Sequence, residues 1–383
     1  MVIIIMILGF LCSAAIAKTT IAPEVKTTMR YDSNYFRAEN NTHGVITYLI
    51  QPGFILGYTG AKTLLNLKYS LDANYYSDQQ KTIAAGQRSA NGDDYLGHTV
   101  VLGFRYKPFR RLTLGVDDNF AYTRDPGQSD AFNNTVARDQ YITNRILLLM
   151  RYDFLPKFTL ELKYRNSALE YDPAAVENSR QNRGIASLAY NLNKTLSLAL
   201  EHQYAQMDYN QTTADYTLNQ TKLIIKKSLR TITFEAGAGY HRRDFDQANH
   251  GDVSNLTYHL TFSIKPDALT GPHFNINYEA NYNDRGTGEA YYLAHRLRAG
   301  FKYVGRKLNA GLGGYYQYSD YEFEDRNDHT FDIGVDLGYK ITRWIIVSFR
   351  AGFENRDSSN AGLDYENAYV LGTIRVGYDF GTQ

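Results

Sequence analysis

The sequence predicts an all-β fold: a transmembrane, antiparallel up-and-down β-barrel of about eighteen strands, with sixteen as the alternative. Three observations carry this reading. Tyr (33) and Phe (19) are abundant while Pro is scarce at 8, a balance that favours strands and spares their ladders. Segments of roughly ten to fifteen residues alternate apolar and polar and are parted by turns, the recurring pattern of a barrel wall. The mean hydropathy of -0.43 excludes a bundle of apolar membrane helices. It suits a barrel, in which only every second strand residue meets lipid.

Val2 to Leu11 form an apolar run, and Ala15-Ile16-Ala17 put small residues where a signal peptidase reads. Residues 1–17 are therefore expected to be a secretory signal peptide and residues 18–383 the barrel. No Lys or Arg precedes the run, so the natural start is expected upstream. The run is too short for a comfortable membrane anchor. The single Cys, Cys12, lies in the removed segment, so the mature chain forms no disulfide and no thiolate metal site. A net charge of +1 gives no electrostatic case for a nucleic-acid partner.

From about Glu24 the strands follow in order. Their centres are expected near Arg30, Tyr48, Tyr69, Leu102, Val116, Leu147, Leu162, Leu188, Leu198, Leu223, Ala236, Leu260, Tyr278, Leu297, Leu312, Val335, Val347 and Ile374. The phase is clearest between Phe331 and Ile341, where Phe331, Ile333, Val335, Leu337, Tyr339 and Ile341 alternate with Asp332, Gly334, Asp336, Gly338 and Lys340. Helical spacing would put Asp and Val on one face, so a helix is excluded here. Phe274–Asn283, Leu256–Lys265 and Ile232–His241 repeat the alternation. Tight turns such as Lys107–Arg111, Leu155–Lys157, Asn191–Lys194, Lys227–Arg230 and Ile341–Arg343 alternate with longer connections such as Asp78–Asp93, Asp125–Arg138 and Asp172–Asn182. Short periplasmic turns and longer extracellular loops give this alternation, and put both termini on the periplasmic side.

Aromatic clusters at Tyr31, Tyr35 and Phe36, at Tyr75 and Tyr76, and at Tyr315, Tyr316, Tyr318 and Tyr321 read as interfacial girdles. Tyr378 and Phe380 close the last strand and are expected to act as its outer-membrane assembly signal.

With the phase fixed, charged residues sort to the lumen. The basic track comprises Arg296, Arg298, Lys302, Arg105, Lys107, Arg145, Arg151, Arg350 and Arg375; the principal acids are Asp332, Asp336, Glu279, Glu235 and Asp117. Arg296, Arg298 and Lys302 share one strand face with no acid between them. Rings of such residues select anions, while mixed charge in a water-filled lumen also needs no selective role. Asp118 falls on the apolar phase of Leu114, Val116 and Phe120, where a carboxylate is costly; a β-bulge swinging it inward is expected.

A Gly-x-Ser-x-Gly elbow and a His-Glu-x-x-His zinc motif are both missing from the sequence. Asp328-His329 and His241 with Asp244 are the nearest acid–His pairs, and catalysis would need them to meet. The stretches Asn91–Asp94 and Asp325–Asp328 lack calcium-loop spacing. No catalytic residue, metal or cofactor is expected.

The first hairpin reads Arg30-Tyr31-Asp32-Ser33-Asn34-Tyr35-Phe36-Arg37, with Pro52-Gly53 in the next strand. This Tyr-Asp-x-Asn-x-Phe-Arg stretch resembles the "putative β-barrel porin 2" family. The resemblance implies an outer-membrane barrel associated with exopolysaccharide biosynthesis and export, and no catalytic residues. The expected function is a porin-like channel in the bacterial outer membrane, a passive conduit for polar or anionic solutes or an exported exopolysaccharide. Its partners would be outer-membrane lipids and lipopolysaccharide, the assembly machinery and a periplasmic polysaccharide-export component. Two alternatives stand beside it: a structural sleeve around an electron-transfer cytochrome, and a barrel enzyme with a rim active site.

Overall fold

The computed structural model describes residues 18–40, 42–80, 89–125, 139–172, 177–211, 213–247, 251–266, 270–283 and 291–380. The expected signal segment, 1–17, lies outside the described residues. Eighteen strands follow one another: β1 (Lys18–Asp32), β2 (Val45–Thr59), β3 (Thr63–Asp78), β4 (Tyr95–Phe109), β5 (Leu112–Thr123), β6 (Gln140–Leu155), β7 (Phe158–Asp172), β8 (Ser179–Asn191), β9 (Leu196–Tyr209), β10 (Tyr216–Ser228), β11 (Ile232–Phe245), β12 (Val253–Ile264), β13 (Gly271–Tyr282), β14 (Tyr292–Val304), β15 (Leu308–Tyr321), β16 (Asn327–Lys340), β17 (Ile345–Ser358) and β18 (Tyr365–Gly377). Each pairs antiparallel with its sequence neighbours, and β1 pairs with β18 from Glu24↔Gly377 to Asp32↔Tyr369, which closes the barrel.

All eighteen segments read from the sequence fall inside these strands. The first begins six residues before Glu24, at Lys18, because Thr20 to Pro23 pair with Gly57 to Phe54 even though β18 has ended there. The tail takes over that edge: Tyr378 N donates to Pro23 O at 3.2 Å and Phe380 N to Ile21 O at 2.8 Å. Asn182, taken as the end of a loop, lies within β8.

Alternation sorts the side chains cleanly, as the pleat requires. On β1 and β2 the outer face carries exposed Ile21, Val25, Met29, Tyr31, Tyr48, Ile50 and Phe54, while Glu24, Thr28 and Asp32 are buried on the inner face. The short turns, such as Arg110-Arg111 and Pro156-Lys157, gather at one end with both chain ends; the longer connections gather at the other. Register shifts fall at Tyr106/Phe109 and Tyr152/Leu155, beside the short turns, where Pro108 and the following Pro156 suit an irregular ladder.

Asp118 does not sit in a bulge. The β4–β5 register runs unbroken from His98↔Tyr122 to Tyr106↔Leu114, and the β5–β6 register from Leu112↔Tyr152 to Thr123↔Tyr141. Asp118 therefore keeps its outward phase, and Asn144 Nδ2 donates to its Oδ1 at 2.8 Å. The neighbouring amide does what an inward turn was expected to do.

The aromatic clusters divide between two roles. Tyr31, Tyr75 and Tyr316 stand exposed on the outer face. Tyr35 is buried against Val45 and Ala90, with Phe36 and Tyr76 packed on it, and Tyr321 is buried with Tyr292 and Ala294 inside the barrel. The period-two rule assigns neighbours to opposite faces, so a run of tyrosines is never all girdle.

Candidate functional site: the inner wall

The inner wall has two zones. Toward the long-loop end it is packed. Tyr141, Leu169 and Tyr171 form one buried cluster; Met207, Tyr216, Leu218 and Tyr291 form another. The second forms where the β13–β14 hairpin parts from β12: β12 pairs with β13 only from Tyr258↔Ala280 to Ile264↔Phe274, and beyond that Tyr282 and Tyr291 pack inward. Arg243 holds them there. Its guanidinium lies 4.2, 5.2 and 5.5 Å from the rings of Tyr216, Tyr282 and Tyr291, and Nη2 donates to Asn283 O at 2.7 Å. Tyr282 also stacks on His241, with ring centroids 4.6 Å apart. A cation among several ring faces away from water is a strong anchor.

The loop at 33–44 is held as well. Arg37 lies 3.0 Å from Glu354, which also accepts from Tyr365 at 2.9 Å. Burial disfavours the Arg37 charge, but Glu354, Tyr365 and Asp32 outweigh it and hold the guanidinium above its ordinary pKa. His43 and Asp78 meet at 3.3 Å below the same loop, and Asp78 accepts the backbone N–H groups of Gln80 and Ala90.

Toward the short-turn end the inner wall is charged and more open, with Lys107, Arg151, Arg298 and Lys302 exposed. Arg105 donates two parallel hydrogen bonds to the Asp117 carboxylate, at 2.7 and 2.8 Å; Arg151 lies 3.6 Å from Asp153. Arg375 and Lys68 both meet Glu24, at 2.7 and 3.1 Å. Glu235 takes Lys226 at 3.1 Å and His259 at 3.3 Å. Inner glycines make room for such side chains: a Cβ on Gly115 would meet the Arg105 side chain, and one on Gly311 the Asp336 carboxylate, each at under 3.0 Å.

Other residues of the basic track differ. Arg296 is buried, with Nε donating to Gln317 at 2.6 Å and its guanidinium 4.9 Å from the Tyr315 ring. It faces Glu279 across the β13–β14 ladder. Arg298 and Lys302 follow on the same face, exposed, opposite Asn277 and His273. Arg350 is exposed opposite Asp336. None of these three forms an ion pair among the described residues. Lys107 is exposed beside the β4 irregularity. Asp332 pairs in register with Tyr315 and accepts from Tyr369 at 3.2 Å.

A second basic group spans β6 to β8. Arg165 and Arg183 oppose each other directly, and Arg145 opposes Ser167 one step along. Glutamines support two of them: Arg165 donates to Gln181 at 2.7 Å and Arg183 to Gln203 at 3.3 Å. Arg183 escaped the sequence reading. Its signal is there in the alternation Gln181, Arg183, Ile185 on β8, in a segment short of apolar markers.

The acid–His pairs near the rim do not form. Asp328 points inward, buried against Arg326 at 2.7 Å and Arg356 at 3.7 Å, while His329 points outward onto Tyr316 at 2.6 Å. His241 is buried inside, whereas Asp244 pairs with Arg242 on the outer side. Residues an odd number apart along a strand face opposite ways, so neither pair can meet. The acidic stretches bind neighbouring segments of the chain: Asn91 Oδ1 accepts Asp78 N, Asp94 Oδ1 accepts Tyr76 N, and Asp93 meets Arg124, while Asp328 takes Arg326 and the Ser358 hydroxyl.

Tyr378 and Phe380 lie exposed at the seam with ring centroids 4.6 Å apart, and Tyr378 packs edge-on to Trp344 at 5.7 Å.

Residues 227–378 match the model of the family "Putative beta-barrel porin 2". The matched region holds β11 to β18, so the first-hairpin motif at Tyr31–Arg37 lies outside it. No curated relative matches the chain in sequence. Among solved structures the chain is similar to Acinetobacter baumannii OccAB4 (12% identity, TM-score 0.52), covering 94% of this chain and 98% of that one. It is similar to Acinetobacter baumannii OccAB2 at 13% identity and TM-score 0.51, over 94% and 98% of the two chains. Pseudomonas aeruginosa OpdK, solved with vanillate, aligns at 12% identity and TM-score 0.50, over 94% and 99%. At these identities the likeness is one of fold.

Proposed function

We propose that this closed eighteen-strand barrel is a porin-like channel of a bacterial outer membrane, non-enzymatic, passing small polar solutes with a preference for anions. The outer belt of exposed Ile, Leu, Val, Phe and Tyr exceeds what soluble monomers carry. A closed barrel leaves no strand edge unpaired in hydrocarbon. The observation that carries the anion preference is the exposed run Arg298, Lys302 and Arg350 on the inner wall, with no ion pair among the described residues. Arg105, Arg151, Lys68, Arg375 and Lys226 each have a carboxylate partner; Arg298 and Lys302 face Asn277 and His273 instead and leave positive charge beside the open path.

An exported exopolysaccharide is the finer proposal for the cargo. Asn275, Asn277 and Tyr315 beside the basic run offer the amide and ring surfaces that sugars use. Tyr282 and Tyr291, packed inward at the long-loop end, speak against a sleeve around a folded cytochrome, which would need that space. The signal segment, the terminal aromatic signal and the assembly and export partners belong to the same proposal.

Single-channel conductance of the mature protein in a planar bilayer, with reversal potential in a salt gradient, tests the reading. Steps with anion preference support it. A folded, heat-modifiable protein that stays silent, or one that prefers cations, overturns it.

A further inference from the structure

The outer face is not apolar all round. On β2 its membrane-facing residues run Tyr48, Ile50, Pro52, Phe54 and Leu56. On β5 to β8 a polar patch interrupts the belt. Asp118 accepts from Asn144 at 2.8 Å, and Asn182 Oδ1 accepts both Asn166 Nδ2 and the Tyr164 hydroxyl at 2.8 Å. The register joins these pairs: Asp118 opposes Ile146, Ile146 opposes Asn166, and Asn166 opposes Asn182. Asp118 and Asn144 have apolar neighbours on both sides along their strands, Val116 and Phe120 on one, Ile142 and Ile146 on the other. They sit within the belt, not at its margin. Below Asn182, Gly184 continues the outer phase with open space above it, so the surface there is flat.

Given the membrane reading above, on which this rests, acyl chains offer these groups nothing. Asn144 is the hydrogen-bond partner of Asp118, and no Lys, Arg or His pairs with it among the described residues. A carboxylate facing hydrocarbon is costly. Lipopolysaccharide phosphates would be repelled by it, and a soluble partner does not reach this depth. A second barrel does. The patch carries an acceptor at one end (Asp118 Oδ2) and donors at the other (the Asn182 amide N–H groups), three strands apart in register, which makes it complementary to itself under a twofold axis that passes between Ile146 and Asn166. We infer that the β5–β8 face is an interface between copies of this chain in the membrane, with Asp118 of one copy receiving amide donors from its partner.

Site-directed disulfide trapping in intact outer membranes tests this with the full chain. Cysteine is placed at Ile146, beside the axis that would bring Asp118 onto the partner's Asn182, and at Gly372 on the outer face of β18 as a control. Ile146→Cys is expected to yield a band at twice the barrel mass after mild oxidation, and Gly372→Cys at least tenfold less. Gly184→Trp is expected to shift the unmodified protein to monomer in lipid nanodiscs while keeping its heat-modifiable mobility. Equal trapping at both positions, no dimer band from Ile146→Cys, or an adduct of another mass overturns the inference, the last pointing to a different membrane protein. Recovery of the chain in the outer-membrane fraction is scored separately, so that a failure of the membrane reading is told apart from a failure of the interface.

Discussion

Arg37 and Glu354, 317 residues apart in sequence, meet at 3.0 Å and tie the first long connection to β17. Arg37 is a non-glycine residue at φ 50°, a conformation that surrounding contacts must hold in place. Replacing it with Ala removes one partner of a buried pair, at about 3 kcal/mol. Arg37→Ala is expected to lower the midpoint of the heat-induced gel shift and to raise open-channel current noise as the 33–44 loop comes loose. Arg37→Lys restores charge but not the forked contact, and is expected to fall between.

Arg243 anchors the inward-packed Tyr282 and Tyr291 through three rings and one carbonyl. Arg243→Ala frees Tyr282, Asn283 and Tyr291 from the inner wall, so conductance per channel is expected to rise about twofold or more while thermal stability falls. An unchanged step size would show that these residues do not limit the path. His241 beneath Tyr282 makes a useful companion variant, since its loss disturbs stacking without removing the cation.

Arg298→Glu and Lys302→Glu each replace an exposed inner cation with an anion. The reversal potential in a salt gradient is expected to move toward cation preference in both, and further in the double variant. Arg105→Glu is the contrast. It breaks the pair with Asp117, so its expected signature is lost stability with a smaller change in selectivity.

Asp328 is fully buried between Arg326 and Arg356, with Tyr321 and Ser358 donating to it. Asn in its place keeps the size and loses the charge that two guanidinium groups share. Asp328→Asn is expected to destabilise the barrel by about 3–5 kcal/mol, as breaking buried pairs does, read as a lower midpoint of heat-modifiability. His329→Ala, one residue on but facing outward to Tyr316, is expected to cost far less.

Strand number and facing were legible because alternation is a local property: Phe331 to Ile341 states its phase without help from any other segment. What was not legible depends on neighbours. Nothing near Asp118 in sequence announces that Asn144, 26 residues away, will bond to it across the ladder. Arg183 stands among Gln, Asn, Gly and Ile, with too few apolar residues to mark its side. The inward packing of Tyr282 and Tyr291 follows from where β12 and β13 stop pairing, after Tyr258↔Ala280, and from Arg243 reaching Asn283 across another strand. The division of inner cations into paired and exposed, Arg105 with Asp117 but Lys302 opposite His273, is likewise set by register, which a sequence read strand by strand does not fix.

The seam joins the two ends of the chain. Phe380 N bonds Ile21 O and Tyr378 N bonds Pro23 O, so the last described residues lie against the first strand rather than trailing away. A wall closed in this manner has no privileged beginning. A short peptide bridging Phe380 to Lys18, with new ends cut at the Pro156-Lys157 turn, would give a circular permutant carrying the same eighteen neighbours in the same register. Whether such a chain still inserts would separate two things that coincide in the natural order: the completed ring of pairings, and the position of Tyr378 and Phe380 at the end that assembly meets last.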